Sequence, residues 1–323
     1  MTHKPAAAAA SAVPAAVAPA FTARMDGPAW VMLVALSALW GCSFVFVEVI
    51  LTAIPVLSLV ALRVLFAALT LWIAVGLIGA AIPRAPRIWG AFAVLGFVNN
   101  AVPFSLIVYG QTEITAGLAA ILNATTPLFT GLIAGIALTD ERLTPAKLGG
   151  MALGLTGVVV MIGPGAILAL GEEILPELAI LGAALSYALA AVYGRRFKRF
   201  GVRPVVIAAG QTSASATIMV PLALFMDGPA VFQVDSPLIW AAVVANACLS
   251  TALAYILYFT ILGRAGATNA SLVTVLVPVF AVIAGTLLLN ESLAIEQICG
   301  MGLIFAGLAV IDGRLFKRST ERP

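Results

Sequence analysis

Continuously apolar stretches of about 20 residues recur along the chain, separated by short polar breaks. They cover roughly 29–51, 54–78, 88–110, 115–138, 146–163, 177–194, 204–226, 237–262, 265–289 and 295–312. About 20 apolar residues in a helix cross the hydrocarbon core of a bilayer. Proline, glycine or charge marks most breaks, as at Pro83-Arg84, Asp140-Glu141-Arg142, Gly163-Pro164-Gly165, Arg195 to Phe200 and Asp227-Gly228-Pro229. The intervening loops are too short to hold a soluble domain. A membrane β-barrel would show segments of about ten residues with alternating polarity. These runs are instead Ala-, Leu- and Gly-rich throughout. The pattern predicts an all-α polytopic membrane protein with ten transmembrane helices.

Composition agrees. Hydrophobic residues make up 62% of the 323 residues and charged ones only 10%, and the mean hydropathy is +1.12. Soluble domains carry about 25% charged residues, so lipid must be part of the solvent here. Residues 1–28 include an Ala/Pro-rich tract that buries little and reads as a disordered, retained tail; Pro14 and Pro19 interrupt any signal-peptide core.

The net charge of +3 says little, but the placement of the charges says much. With a cytoplasmic N-terminus, every Lys and Arg except Arg63 falls in an inside loop or tail. The outside loops carry only acids: Glu113, Glu172, Glu173, Glu177, Asp227, Asp235, Glu291 and Glu296. This satisfies the positive-inside rule and places both termini in the cytoplasm. The inner membrane of a bacterium, crossed many times, is the expected location.

The chain repeats itself. Gly150, Met151, Leu153, Gly157, Val160 and Gly163 recur 150 residues later as Gly300, Met301, Leu303, Gly307, Val310 and Gly313. Upstream, Ala116, Ala119, Pro127 and Phe129 recur at an offset of 151 as Ala267, Ala270, Pro278 and Phe280. The halves are read as 29–163 and 164–313, followed by a basic tail over 314–323. Five helices per half insert the second half upside down relative to the first. Inverted repeats are the usual build of secondary transporters, with the substrate site near the midplane between the halves.

Other classes of chemistry have little to stand on. Cys42, Cys248 and Cys299 are scattered through apolar runs, and His3 is the sole histidine. No zinc, haem or other cofactor site is expected. No Walker loop, nucleophile elbow or HExxH motif occurs, so neither ATP use nor an enzyme is expected. The basic loops read as topology determinants and lipid contacts, with no nucleic-acid partner.

Several short segments resemble the drug/metabolite transporter superfamily, in the form with two EamA-type domains. The first run holds Ala38-Leu39-Trp40-Gly41-Cys42-Ser43-Phe44, and the second holds Ala61-Leu62-Arg63-Val64-Leu65. Thr251-Ala252-Leu253-Ala254-Tyr255, Gly266-Ala267 to Pro278, and Asn290-Glu291-Ser292-Leu293 follow in order, the last echoed by Asp140-Glu141-Arg142-Leu143. The resemblance covers about residues 29–312 and implies a ten-helix transporter, often an exporter of amino acids or related metabolites.

Arg63 stands about ten residues into the second run. A charge at that depth costs at least about 2.5–3.5 kcal/mol, so it needs a carbonyl, water, carboxylate or anionic solute. It is either a structural tie or a substrate contact. Glu48, toward the outer end of the first helix, is expected to face the same way as Trp40, and is a proton-coupling candidate, a partner for Arg63, or a vestibule residue. Asn99 and Asn100 are polar within the third helix, and their repeat counterparts are Ser250 and Thr251. Asn123, Thr126 and Thr130 share a face of the fourth helix, and Gln211, Thr212, Ser213 and Ser215 enrich the seventh. Trp40, Phe104, Tyr187, Tyr255 and Tyr258 are candidate aromatic walls. Each polar or aromatic residue has packing as its rival role. The cavity set is thus Trp40, Arg63, Asn99, Asn100, Tyr187 and Tyr255, with Glu48 for coupling to protons.

The expected function is secondary transport of a small solute, with efflux of amino acids favoured. A facilitative channel or uniporter, a drug exporter, and a membrane-embedded enzyme or scaffold are the alternatives.

Overall fold

The computed structural model describes residues 25–114, 119, 122–138, 144–162, 170–229, 234–289 and 294–312. The helices, in chain order, are α1 (Gly27–Leu51), α2 (Val56–Leu77), α3 (Pro86–Glu113), α4 (Thr126–Ala137), α5 (Pro145–Ile162) and α6 (Ile174–Gly194). Then come α7 (Pro204–Met226), α8 (Pro237–Ala265), α9 (Ala267–Ser271), α10 (Val273–Leu289) and α11 (Ile295–Asp312). A single turn of helix, Arg196–Arg199, lies between α6 and α7. No strand occurs among the described residues. The tail expected at the N-terminus, as far as residue 24, and the basic C-terminal tail lie outside them, as do Glu141 and Glu291.

Six helices are long and apolar enough to cross a membrane: α1, α2, α3, α6 with the turn after it, α7 and α8. Four shorter apolar helical stretches accompany them. The outward surface is apolar: Leu77 is 83% exposed, Phe225 85% and Ile136 90%. Covering side chains of this size is worth about 1.5–3 kcal/mol each, so these flanks belong in lipid. The protein is a multi-pass membrane protein.

Helix ends follow local chemistry. Pro28 opens α1, and the Asp26 carboxylate accepts the Ala29 N–H at 2.8 Å. This supplies one of the acceptors that a helix start lacks. The first turn of α2 is capped from elsewhere: Asp227, just after α7, accepts from both the Ser58 N–H at 2.8 Å and the Ser58 hydroxyl at 2.7 Å. The two contacts tie the ends of α2 and α7, which pack along one another.

Two expected spans are interrupted. The fourth run turns at Ala124 and Thr125 before α4, and the ninth turns at Leu272 between α9 and α10. Hydroxyls take up backbone carbonyls at both places: Thr125 and Thr126 bond to Leu122 and Asn123, and Ser271 and Thr274 bond to Thr268 and Ser271. Such side-chain bonds compete with the helical ladder. Pro127, without an N–H, follows the first turn directly.

The third and eighth helices share a feature that composition does not announce. Each begins with 11 α-helical residues, passes through a π-helical stretch and continues for 12 more. The π stretches are Phe97–Ala101 and Cys248–Leu253, at the 151-residue repeat offset. They widen the helix where Asn99, Asn100, Ser250 and Thr251 sit. Single π turns of this kind concentrate at functional sites.

α5 and α11 pack closely along glycines. A Cβ on Gly150 would stand 2.7 Å from the Gly307 carbonyl, and one on Gly157 would stand 2.7 Å from the Gly300 carbonyl. The order of these contacts makes the two helices antiparallel. Because Gly150 repeats as Gly300 and Gly157 as Gly307, each contact is the repeat image of the other.

Candidate functional site

A cavity of ≈ 70 Å³, room for a few waters, lies where both parts of the chain meet. α1 supplies Trp40, Ser43, Phe44 and Val47 at helical spacing, α2 supplies Arg63, and α3 supplies Asn99, Phe104, Ile107, Val108 and Gln111. Asn123 and Thr126 enter from the start of α4, Tyr187 from α6, Tyr258 from α8, and Ser271 and Thr274 from the broken helix of α9 and α10. No carboxylate lines it.

Arg63 is only 8% exposed. Its Nε donates to the Thr251 hydroxyl at 2.7 Å, and its guanidinium lies over the Phe104 ring at 3.9 Å. The first contact uses the widened turn of α8, and the second is a cation–π contact. Tyr187 and Tyr255 are its electrostatic neighbours. Among the described residues no carboxylate pairs with it. Its terminal nitrogens are left to the cavity, and a buried guanidinium without a counter-ion favours an arriving anion.

The opposite character is present in the same wall. Asn123 Oδ1 and Gln111 Oε1 are buried acceptors without a hydrogen-bond partner among the described residues. Asn123 is 7% exposed. An unmet buried acceptor costs about 1–3 kcal/mol, which a cationic or N–H-bearing group in the cavity removes.

Aromatic rings complete the walls. Trp40 meets Tyr258 at 5.7 Å between centroids and Tyr255 edge-on at 6.4 Å, and Phe104 stacks on Tyr255 at 6.5 Å. These separations suit aromatic pairing and hold Phe104 under the guanidinium.

Of the residues expected to form the cavity, Trp40, Arg63, Asn99 and Tyr187 reach it, while Asn100 and Tyr255 stand behind. The Tyr255 hydroxyl donates to Asn100 Oδ1 and to the Asn99 carbonyl, and Asn100 Nδ2 donates to Ser215 at 2.9 Å. Asn99 Nδ2 donates to Gln211 Oε1 at 3.0 Å. The polar residues of α7 serve packing: Ser215 bonds to the Gly96 carbonyl, Ser213 accepts from Trp72, and Thr212 bonds within its own helix.

Glu48 does not join this group. It is exposed and absent from the cavity lining, and it makes no ion pair with Arg63. The reason is angular. The cavity face of α1 runs through positions 40, 43, 44 and 47, and eight residues beyond Trp40 is about 80° around the helix. Gln111, Ser43, Thr274 and the buried Asn246, which accepts from Ser43 at 2.9 Å, were not expected as site residues. Gln111 falls one residue beyond the apolar run that marks the third span, whereas the helix continues to Glu113.

Proteins similar to this chain carry transporter names. The chain is 28% identical over 299 residues to a protein of Escherichia coli named "Probable amino-acid metabolite efflux pump", covering 89% of this chain and 94% of that one. It is 23% identical over 277 residues to "Uncharacterized transporter YoaV" of Bacillus subtilis, covering 85% and 94%. A solved crystal structure shares the fold at a TM-score of 0.75 and 23% identity, over 92% of this chain and all of that one. The profile of the EamA-like transporter family matches residues 28–163 and again 174–312. Two family-matched segments, almost the whole chain, and a cavity built from both make this protein a member of the EamA-like transporter family, within the drug/metabolite transporter superfamily.

Proposed function

We propose that this protein exports amino acids or closely related zwitterions across the bacterial inner membrane by alternating access. The observation that carries the reading is the buried Arg63, without a counter-ion among the described residues, in one cavity with the acceptors Asn123 Oδ1 and Gln111 Oε1, which have no hydrogen-bond partner among the described residues. A solute with a carboxylate at one end and an ammonium at the other meets both needs at once. Charge-assisted bonds of the carboxylate to the guanidinium are the stronger of the two sets. The efflux-pump name of the Escherichia coli relative supports the direction and the solute class.

The ten-span arrangement expected from the sequence would suit this mechanism. The halves 29–163 and 164–313 are read as inverted five-helix repeats with both termini in the cytoplasm, as the loop charges favour. The antiparallel glycine contacts of α5 and α11 and the matched π turns of α3 and α8 fit that symmetry.

The test is counterflow of labelled amino acids into sealed liposomes holding the purified protein. The expected result is uptake that unlabelled amino acids compete away, while the same molecules lacking the carboxylate or the amine compete weakly. Absence of flux for every amino acid, or equal competition by the decarboxylated amines, overturns the solute assignment. An imposed pH gradient in the same vesicles separates proton coupling from downhill exchange.

A further inference from the structure

A second pocket, of ≈ 430 Å³, opens where α6, α7 and α8 end together. Gly194 closes α6, Pro204 opens α7, and Arg264 lies in the last turn of α8. All three helices are membrane-crossing by length and composition, so the pocket sits at the edge of the hydrocarbon. Arg195, Lys198, Arg203 and Arg264 line it, and no carboxylate does. Its inner wall is apolar, with Ile207, Phe259 and Leu262. Two helix C-termini and one N-terminus meet at this level, so their dipoles offset only in part and the four cations of the lining set the sign of the field.

We propose that this pocket binds the phosphate of an anionic phospholipid, held by Arg203 and Arg264, with the first part of an acyl chain against Ile207, Phe259 and Leu262. The cationic rim stands at the level of lipid headgroups, and the apolar wall faces where the chains begin. Clusters of basic residues beside membrane helices attract anionic headgroups in this way. A free phosphate would use the rim but gain nothing from the apolar wall, so the pocket favours the lipid. Arg203 and Arg264 are both exposed, as headgroup contact requires. The assignment is independent of which solute the central cavity carries.

The experiment is native mass spectrometry of the full chain released from nanodiscs of phosphatidylglycerol and phosphatidylcholine in equal amounts. The wild-type protein is expected to retain phosphatidylglycerol selectively. The double variant Arg203→Gln/Arg264→Gln should lose that selectivity by about fivefold for each cation removed. The charge-preserving Arg203→Lys/Arg264→Lys should keep most of it, and Arg84→Gln/Lys147→Gln, which removes the same net charge elsewhere, should keep all of it. Equal retention of the two lipids, or a loss as large in the Arg84/Lys147 variant, whose residues do not line the pocket, overturns the site. Displacement of phosphatidylglycerol by an equal concentration of glycerol 3-phosphate overturns the lipid assignment and leaves a soluble phosphate ester as the ligand.

Discussion

Arg63 is the eighth residue of α2, and Gln211 is the eighth residue of α7. Both reach the π-helical turn of a partner helix from the other half of the chain. Arg63 bonds to Thr251 in α8, and Gln211 accepts from Asn99 in α3. The two halves therefore share one construction: a long polar side chain from the second helix braces the widened turn of the other half's third helix. They differ in charge. One brace is a neutral amide whose bond to Asn99 is internal; the other is a cation facing the cavity. Shared geometry marks the scaffold, and the unshared charge is the part that the proposed function assigns to the solute. Under the proposed alternating access, exchanging the conformations of the halves would not exchange the charge, and the two access states would be energetically distinct.

The largest effect should come from erasing that difference. Arg63→Gln makes the two braces alike and removes a charge-assisted bond to solute, worth about 1.5–3 kcal/mol. Counterflow of labelled amino acids should fall about 10- to 100-fold, with the elution profile of the purified protein unchanged. A variant that exchanges solute at the wild-type rate would leave Arg63 as a structural tie only.

Next is the seam where the halves are the same. Gly157→Val places a side chain against the Gly300 carbonyl and the Ile304 N–H, each 2.7 Å from the new Cβ. Overpacking of this kind costs about 1–3 kcal/mol. The melting temperature in detergent should drop, and by a similar amount for its repeat counterpart Gly307→Val, whose Cβ would stand 2.6 Å from the Gly150 carbonyl. Gly263→Ala, whose Cβ would meet nothing within 4 Å, is the control.

Gln211→Leu should do less. It leaves Asn99 without its side-chain partner, at about 1 kcal/mol, read as a modest loss of thermal stability and a smaller loss of flux than Arg63→Gln. The smallest effect is expected of Glu48→Gln. Its carboxylate lies off the cavity face, so flux and its response to a pH gradient should match the wild type; a changed pH response in proteoliposomes would restore it as the coupling group.

These contrasts also show what the sequence makes legible. Arg63 stands out because a cation at mid-membrane depth is costly and rare, and Trp40 because it begins the family-like stretch Trp40-Gly41-Cys42-Ser43-Phe44. Helix boundaries follow the apolar runs closely where Pro starts the helix, as at Pro204 and Pro237. The π turns are invisible in composition, since a shift in backbone bonding leaves side-chain periodicity almost intact over so few residues. The breaks before α4 and α10 depend on hydroxyls bonding to nearby carbonyls, a choice that tertiary packing decides. Glu48 falls off the cavity face because an arc wide enough to hold a helix face also reaches its flank. Asn99 and Asn100 separate because consecutive helical residues point about 100° apart, and only the packing of α3 decides which of them meets the cavity.

The glycine seam has a consequence of another kind. Contacts that map onto themselves when repeat copies are exchanged form an isologous interface, the type found in two-fold symmetric dimers. On the proposed reading of two inverted halves, an ancestral half-length chain could use it to pair with an oppositely inserted copy of itself, before duplication fused the two. In the fused chain each copy became free to diverge, and an arginine on one side with a glutamine on the other is a divergence that a symmetric dimer cannot hold.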